Sequence, residues 1–299
     1  MRNALSLPLA LLALSASPAS HAWGDKVFDR TVAAQPQGVV DISDVSGTID
    51  VSGWDRAEVS VHAELSEGVE RVDVTSEGGR TVVKVVLAGA GSHHGEAHLH
   101  VRIPKNSELD VSAVSADVTS SGVLGVQRLS AVSGDVTAEL AASDLELKTV
   151  SGDVKLKGHG EPARLRVTTV SGDVRVEHGG GDFEASTVSG EFTVSLDSAR
   201  SVRTRSTSGD LHFEGKLARD ATFEASTVSG DLNVRASAVG GFAYEVSSFS
   251  GDIGDCFDAK AERTSKYGPG KSLQGTRGEG AGHVRLKTMS GDVQLCDRS

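Results

Sequence analysis

Aromatic residues are scarce in this chain, at 4%, and proline occurs only 6 times in 299 residues. Serine, threonine, valine and 35 glycines dominate instead, a composition that suits short strands joined by tight turns. Basic charge is also lacking. The formal net charge of -11 excludes a nucleic-acid partner, because phosphate binding needs a basic face. No basic amphipathic helix is present, which argues against a membrane-surface role. Long hydrophobic runs are missing too. The only apolar stretch, Ala4 to Leu14, is too short to span a bilayer as a permanent helix. It follows Arg2 and precedes Ser20-His21-Ala22, which places small residues at the -3 and -1 positions of a cleavage site before Trp23. Residues 1–22 therefore read as a signal peptide. No cysteine lies near that site to take a lipid, and there is no twin-arginine pair. The mature chain is expected in the periplasm, secreted or at the cell surface.

What the chain has in abundance is one phrase, Val-Ser-Gly-Asp-Val. It occurs at Val132 to Val136, Val150 to Val154 and Val170 to Val174, with variants around Ser115, Ser189, Ser208, Ser229, Ser250 and Ser290 and an outlier at Ser46. Regular recurrence at about 20 residues marks a stacked repeat architecture. With each repeat numbered from its serine as zero, position +3 is apolar throughout, from Val118 to Val293. Position +5 is mostly apolar. Positions -6 and -4 are mostly apolar as well, as in Leu145 with Leu147 and Phe223 with Ala225, and position -2 is small. Thus -6, -4 and -2 share one strand face, and +3 and +5 share the next. Two strands per repeat bend around the Ser-Gly-Asp corner, with valine on either side of it expected in the core.

One repeat must offset roughly 1–2 kcal/mol of backbone entropy per residue. Its few inward side chains return only about 1.5–3 kcal/mol each. A lone repeat cannot fold, so the repeats must stack. The expected fold is all-β: a β-solenoid of about nine stacked rungs of 18–21 residues over 108–299, with a glycine-rich loop insertion at 257–282. Residues 23–107 are expected to form an antiparallel β-sheet capping module. Its alternating segments include Val39 to Ile42, Thr48 to Val51, Glu58 to Ala63 and Ala97 to Ile103, and Glu77-Gly78-Gly79-Arg80 reads as a hairpin turn. An antiparallel meander turning at Ser-Gly-Asp is the alternative for the repeats, but it would alternate strand direction and so break the equal offsets. The outward position -5 supports stacking. It reads Glu146, Arg166, Glu184, Arg203, Glu224, Glu245, Arg285, a column of mostly alternating sign.

The two cysteines, Cys256 and Cys296, both fall at +6 from their corner serines. Equal offsets put them side by side on neighbouring rungs, about 4.8 Å apart, within reach of a disulfide. An exported compartment permits the bond.

Candidate chemistry is sparse. The corner motif, at Ser133-Gly134-Asp135, Ser151-Gly152-Asp153, Ser171-Gly172-Asp173, Ser229-Gly230-Asp231, Ser250-Gly251-Asp252 and Ser290-Gly291-Asp292, stacks carboxylates in a column. A calcium ladder is one reading. The other is a turn in which glycine supplies positive φ while serine and aspartate bond backbone amides. The nine-residue glycine-aspartate pattern of calcium-binding β-rolls is absent, which favours the turn. His93, His94, His98 and His100 form a cluster that could hold zinc, nickel or copper, but no cysteine or carboxylate set with ligand spacing accompanies it. Gly268-Pro269-Gly270-Lys271-Ser272 lacks the earlier glycine of a phosphate loop. No Gly-x-Ser-x-Gly elbow exists. Acids in the 257–282 segment, Asp258, Glu262 and Glu279, are the place to look for a hydrolytic pair. Catalytic, cofactor and metal residues are assigned to none of these positions.

The phrase Thr-Val-Ser-Gly-Asp-Val, the early Val45-Ser46-Gly47-Thr48-Ile49, the Ile103-Pro104-Lys105 transition and the closing Lys287-Thr288-Met289-Ser290-Gly291-Asp292-Val293 resemble a bacterial β-strand-repeat family of adhesin-like exported proteins. The resemblance covers most of the mature chain. It implies an envelope or exported β-repeat protein and supplies no catalytic residues. The expectation is a non-enzymatic, adhesin-like module whose partner is an envelope protein or polysaccharide. A polysaccharide-acting β-helix enzyme and a scaffold that self-associates end to end are the alternatives.

Overall fold

A computed structural model describes residues 26–89, 95–257, 260–264 and 268–297. Among them 22 strands form one hydrogen-bonded sheet, and there is no helix. The fold is all-β and solenoid-like. The N-terminal part comprises β1 (Lys26–Ala33), β2 (Val39–Trp54), β3 (Glu58–Leu65), β4 (Val69–Glu77), β5 (Arg80–Leu87), β6 (Ala97–Pro104) and β7 (Glu108–Ser121). The repeats continue through β8 (Gln127–Ser133), β9 (Val136–Glu139), β10 (Leu145–Ser151), β11 (Val154–Lys157), β12 (Ala163–Thr168), β13 (Val174–Ser189), β14 (Phe192–Ser208), β15 (Leu211–Ser229), β16 (Leu232–Ala238), β17 (Gly241–Ser250) and β18 (Ile253–Asp255). The chain closes with β19 (Glu262–Arg263), β20 (Lys271–Gly278), β21 (Gly282–Ser290) and β22 (Val293–Cys296).

The repeat strands pair in parallel with corresponding positions opposite one another, as equal offsets require. Val154 faces Val136 and Val174, and Leu147 faces Leu129 and Val167. The meander is thereby excluded. Inward positions from the strands before and after each corner meet in one continuous core. Phe213 at +5 packs edge-on against Phe223 at the following -6, with ring centroids 4.7 Å apart. One pair of these slots is polar: Ser120 at +5 donates to Gln127 at -6 over 2.7 Å, and the Gln127 amide donates to the Glu139 carbonyl. Both side chains are buried, so their polarity is tolerated because they satisfy each other.

The N-terminal part departs from expectation. β2 is one strand of 16 residues, and it pairs in parallel with β7 from Val39 opposite Glu108 to Ser52 opposite Ser121. Ser46 therefore stacks on Ser115, with Val40, Ile42, Ile49 and Val51 buried at the repeat's own offsets of -6, -4, +3 and +5. The parallel stack begins here. The cap over it is mixed: β5 and β6 continue parallel to β2, and only β4, β3 and β1 turn antiparallel. Gly78 and Gly79, with φ of 58° and 84°, make the β4–β5 hairpin turn.

The C-terminal end departs as well. The Ser290 repeat does not follow the Ser250 repeat in space. It lies between Ser229 and Ser250: β21 pairs with β15 on one side and β17 on the other, and β22 sits between β16 and β18. The segment expected as a loop supplies β20, which runs antiparallel along the outer edge of β17 and carries β19 in turn. Edge coverage of this kind protects an open strand from pairing with other chains.

The -5 column explains the order. In chain sequence Glu224 and Glu245 would stack as like charges. Insertion puts Arg285 between them, opposite Glu224 in one ladder and Glu245 in the other. From Asp110 through Arg128, Glu146, Arg166, Glu184, Arg203, Glu224 and Arg285 to Glu245 the sign then alternates without a break. Contacts include Arg166–Glu184 at 2.9 Å, Arg203–Glu224 at 3.4 Å and Arg285–Glu245 at 3.0 Å. Each exposed pair contributes only about 0–1 kcal/mol, so the column selects rung order more than it adds stability. Arg285→Glu should destabilise the chain by about 1 kcal/mol at low ionic strength, and less in high salt, where screening weakens the repulsion. Urea unfolding at two salt concentrations measures the difference.

Candidate functional site: corners and outward face

The corners are close-packed from rung to rung. Gly134, Gly152, Gly172 and Gly190 have φ between 124° and 132°, a region that side chains rarely adopt. A Cβ on Gly152 would lie 2.2 Å from the Gly134 carbonyl oxygen. Each corner thus rests directly on the one below. The aspartates bond across rungs rather than within their own turns. Oδ1 of Asp117 accepts from the Asp135 amide at 2.8 Å, Asp135 from Asp153 at 2.9 Å, and Asp153 from Asp173 at 3.1 Å. The ladder continues from Asp210 to Asp231 at 2.8 Å, then to Asp292 and Asp252 at 2.7 Å each, in the inserted order. Threonines at -2 add a second bond: Thr149, Thr169 and Thr187 donate to the carbonyls of Ser151, Ser171 and Ser189. Among the described residues no group of three or more His, Cys, Asp or Glu is placed to hold a metal.

The valine before each corner corrects the sequence reading. It points outward, since -2 is buried and alternation turns -1 to solvent. Only the valine at +3 enters the core. The outward residues stack, in spatial order, as Val45, Val114, Val132, Val150, Val170, Val188, Thr207, Val228, Met289 and Phe249. The apolar members are exposed from 39% at Val45 to 59% at Met289. On the same face, position -3 carries small polar or basic side chains and position -5 the charge column. Where the C-terminal rungs and β20 meet, this face hollows into a groove of about 700 Å³, lined by Glu224, Glu245, Arg285, His283, Gln274 and Thr276 among others.

The remaining candidates fall into place separately. Cys256 and Cys296 form a disulfide with Cα atoms 4.9 Å apart. It joins the post-corner strand of the Ser250 repeat to the inserted strand, not to a terminal rung. His98 and His100 share the exposed face of β6, where His98 meets Thr48 at 3.1 Å and His100 meets Asp50 at 3.2 Å. His62, which no spacing singled out, lies opposite His100 in register with its ring 6.2 Å away. His93, His94 and Asp258 lie outside the described residues. Glu262 is exposed on β19, and Glu279 is held by Arg219 at 2.8 Å. Asp44 was also unmarked in sequence. It occupies a buried -2 slot, where Ala113 stands one rung away. Burial raises its carboxyl from 3.8 to about 6, while the amides of Val45 and Ser46 and the charge of His98 pull the other way.

Residues 40–296 match the profile of the Toastrack DUF4097 family. No curated protein matches the chain. Among solved structures, a candidate adhesin from Parabacteroides distasonis is 10% identical, with 92% of this chain and 98% of that chain covered and a TM-score of 0.44. A candidate adhesin from Bacteroides fragilis is 10% identical, covering 90% and 97%, with a TM-score of 0.38. A candidate lipid-binding protein from Parabacteroides distasonis is 13% identical, covering 91% and 97%, with a TM-score of 0.40.

The Asp44 shift has a definite sign. The folded state holds this proton more tightly than the unfolded state, so its ionisation costs stability. The cost is absent below the unfolded value of 3.8, grows as pH rises, and is complete above about 6. Asp44→Asn keeps the 2.7 Å acceptor for the Val45 amide and removes the charge. It should stabilise the chain by about 2–3 kcal/mol near pH 7 and confer almost no gain near pH 3. Denaturant melts at the two pH values measure this.

Proposed function

The chain belongs to the Toastrack DUF4097 family, and we propose that it is an exported, non-enzymatic binding module of the cell envelope, adhesin-like in its action. The observation that carries this reading is a long, regular outward surface built from the same positions of every rung. Binding modules spread contact over such surfaces, whereas catalysis needs a singular cluster of reactive groups. The corner acids are repeated and serve as acceptors for backbone amides. The acids near the C-terminal strands are separate, with Glu279 committed to Arg219. The proposed partner is an envelope protein or polysaccharide that lies along the outward face, where charge columns and the groove over Glu224, Arg285 and Glu245 offer complementary polar contacts.

Pull-down from envelope extract with the mature protein tests this. A specific envelope partner should be captured, and capture should fall with charge reversals along the -5 column. Intact capture by those variants, together with loss of a glycan-hydrolysing activity on deletion of the protein, would overturn the reading in favour of an enzyme.

A further inference from the structure

The outward ladder at -1 is built unlike its neighbours on the same strands. At -3 the outward residues include Ser130, Lys148, Arg205, Ser226 and Lys287, and at -5 they are charged. A general strand preference for β-branched residues acts at every outward position alike. It does not explain why valine is confined to one column. Thr207 stands in that column and is exposed, so the fold accepts a polar residue there. At the usual inter-strand spacing the ladder from Val45 to Phe249 is about 40 Å long. Its nine apolar members, from 39% exposed at Val45 to 59% at Met289, each offer on the order of 80 Å², which makes about 700 Å² of largely apolar surface, more than the roughly 300–600 Å² of the largest apolar patch of an ordinary monomer. That area is close to the roughly 800 Å² each partner contributes to a standard interface.

We propose that this ladder is a homodimer interface, in which two stacks lie side by side with their valine columns face to face. A straight column is self-complementary under a two-fold axis. Charge selects which axis. One rim of the ladder is the carboxylate column at the corners, and the other is position -3 with Lys148, Arg205 and Lys287, for which the described residues show only one ion pair, Lys148 with Glu146 at 2.7 Å. An axis perpendicular to the ladder would set carboxylates against carboxylates. An axis parallel to it sets each carboxylate rim against the basic rim of the second copy, and the two stacks then run in the same direction. Val150 meets its own symmetry copy in that arrangement. This dimer goes beyond the envelope-binding reading and stands or falls independently of it.

Sedimentation velocity of the mature chain from about 1 to 100 µM tests the proposal, with a dimer expected within that range. Replacing Val132, Val150, Val170 and Val188 together by threonine copies the residue at position 207. The variant should keep the parent's circular dichroism and melt, while its dimer dissociation constant rises about tenfold or more. Val150→Cys should trap a covalent dimer, as the parallel arrangement requires. A chain that stays monomeric throughout, or a threonine variant that dimerises as tightly as the parent, would overturn the proposal. So would a monomeric chain that floats with phosphatidylglycerol-containing vesicles and loses that property in the threonine variant, since the ladder would then face lipid.

Discussion

The contact on which the structure depends is glycine against backbone at the corner. With only 2.2 Å between a hypothetical Cβ at Gly152 and the Gly134 carbonyl oxygen, no other residue permits that approach. Positive φ at the same glycines turns the chain at the corner. Once corners rest on corners, register is fixed, and a slip of one residue would carry every inward side chain to the solvent face. The aspartate ladder follows from that register, because the aspartate carboxylates then reach the neighbouring corner amide over 2.7 to 3.1 Å, and it is interrupted at Glu191, whose longer side chain accepts from Thr193 instead. Like charges stacked at this spacing repel, and the amide bonds are what compensate them.

From fixed register come columns, and from columns come both rung order and surface. Inward columns give the core. From Asp110 onward the -5 column carries alternating charge, and the Glu224–Glu245 clash of chain order is removed by moving the Ser290 repeat between its two predecessors, whereas Asp41 stays opposite Asp110 and is paired with Arg80 instead. That insertion couples the C-terminal strands to the rest. β17 finds its parallel neighbour in β21, and the Cys256–Cys296 bond ties the end of β22 to the residue just after β18. The -1 column carries the apolar ladder. The functional proposals both rest on this regularity: a partner along the outward face, and a second copy along the valine edge.

The repeat was legible because corner, offset and alternation all repeat together. Equal offsets of Cys256 and Cys296 made neighbouring rungs legible too, but could not distinguish which of the two lies outermost. The first rung was hidden by distance. Ser46 and Ser115 are separated by the whole cap, although Val40, Ile42, Ile49 and Val51 already stood at the repeat's offsets. The valine at -1 suggests core because it is hydrophobic and sits beside a corner, but the buried -2 position dictates that it face out. Three features were beyond sequence reasoning. Asp44 is an acid in a slot where neighbouring rungs place alanine, His62 meets His100 only through cross-strand register, and β20 emerges from a stretch whose glycines concealed a strand.

The central claim is that register and charge place the last repeat in sequence between its two predecessors in space. Disulfide trapping tests it most directly. Ser226→Cys with Lys287→Cys joins positions that face each other across one ladder, whereas Ser226→Cys with Ser247→Cys joins positions separated by the inserted strand. At about 4.8 Å per strand the first pair lies within disulfide reach, and the second, at about 10 Å, does not. The account predicts rapid, near-complete oxidation of the first pair and none of the second. Oxidation of the second pair without the first would place the Ser250 repeat directly on the Ser229 repeat and contradict it.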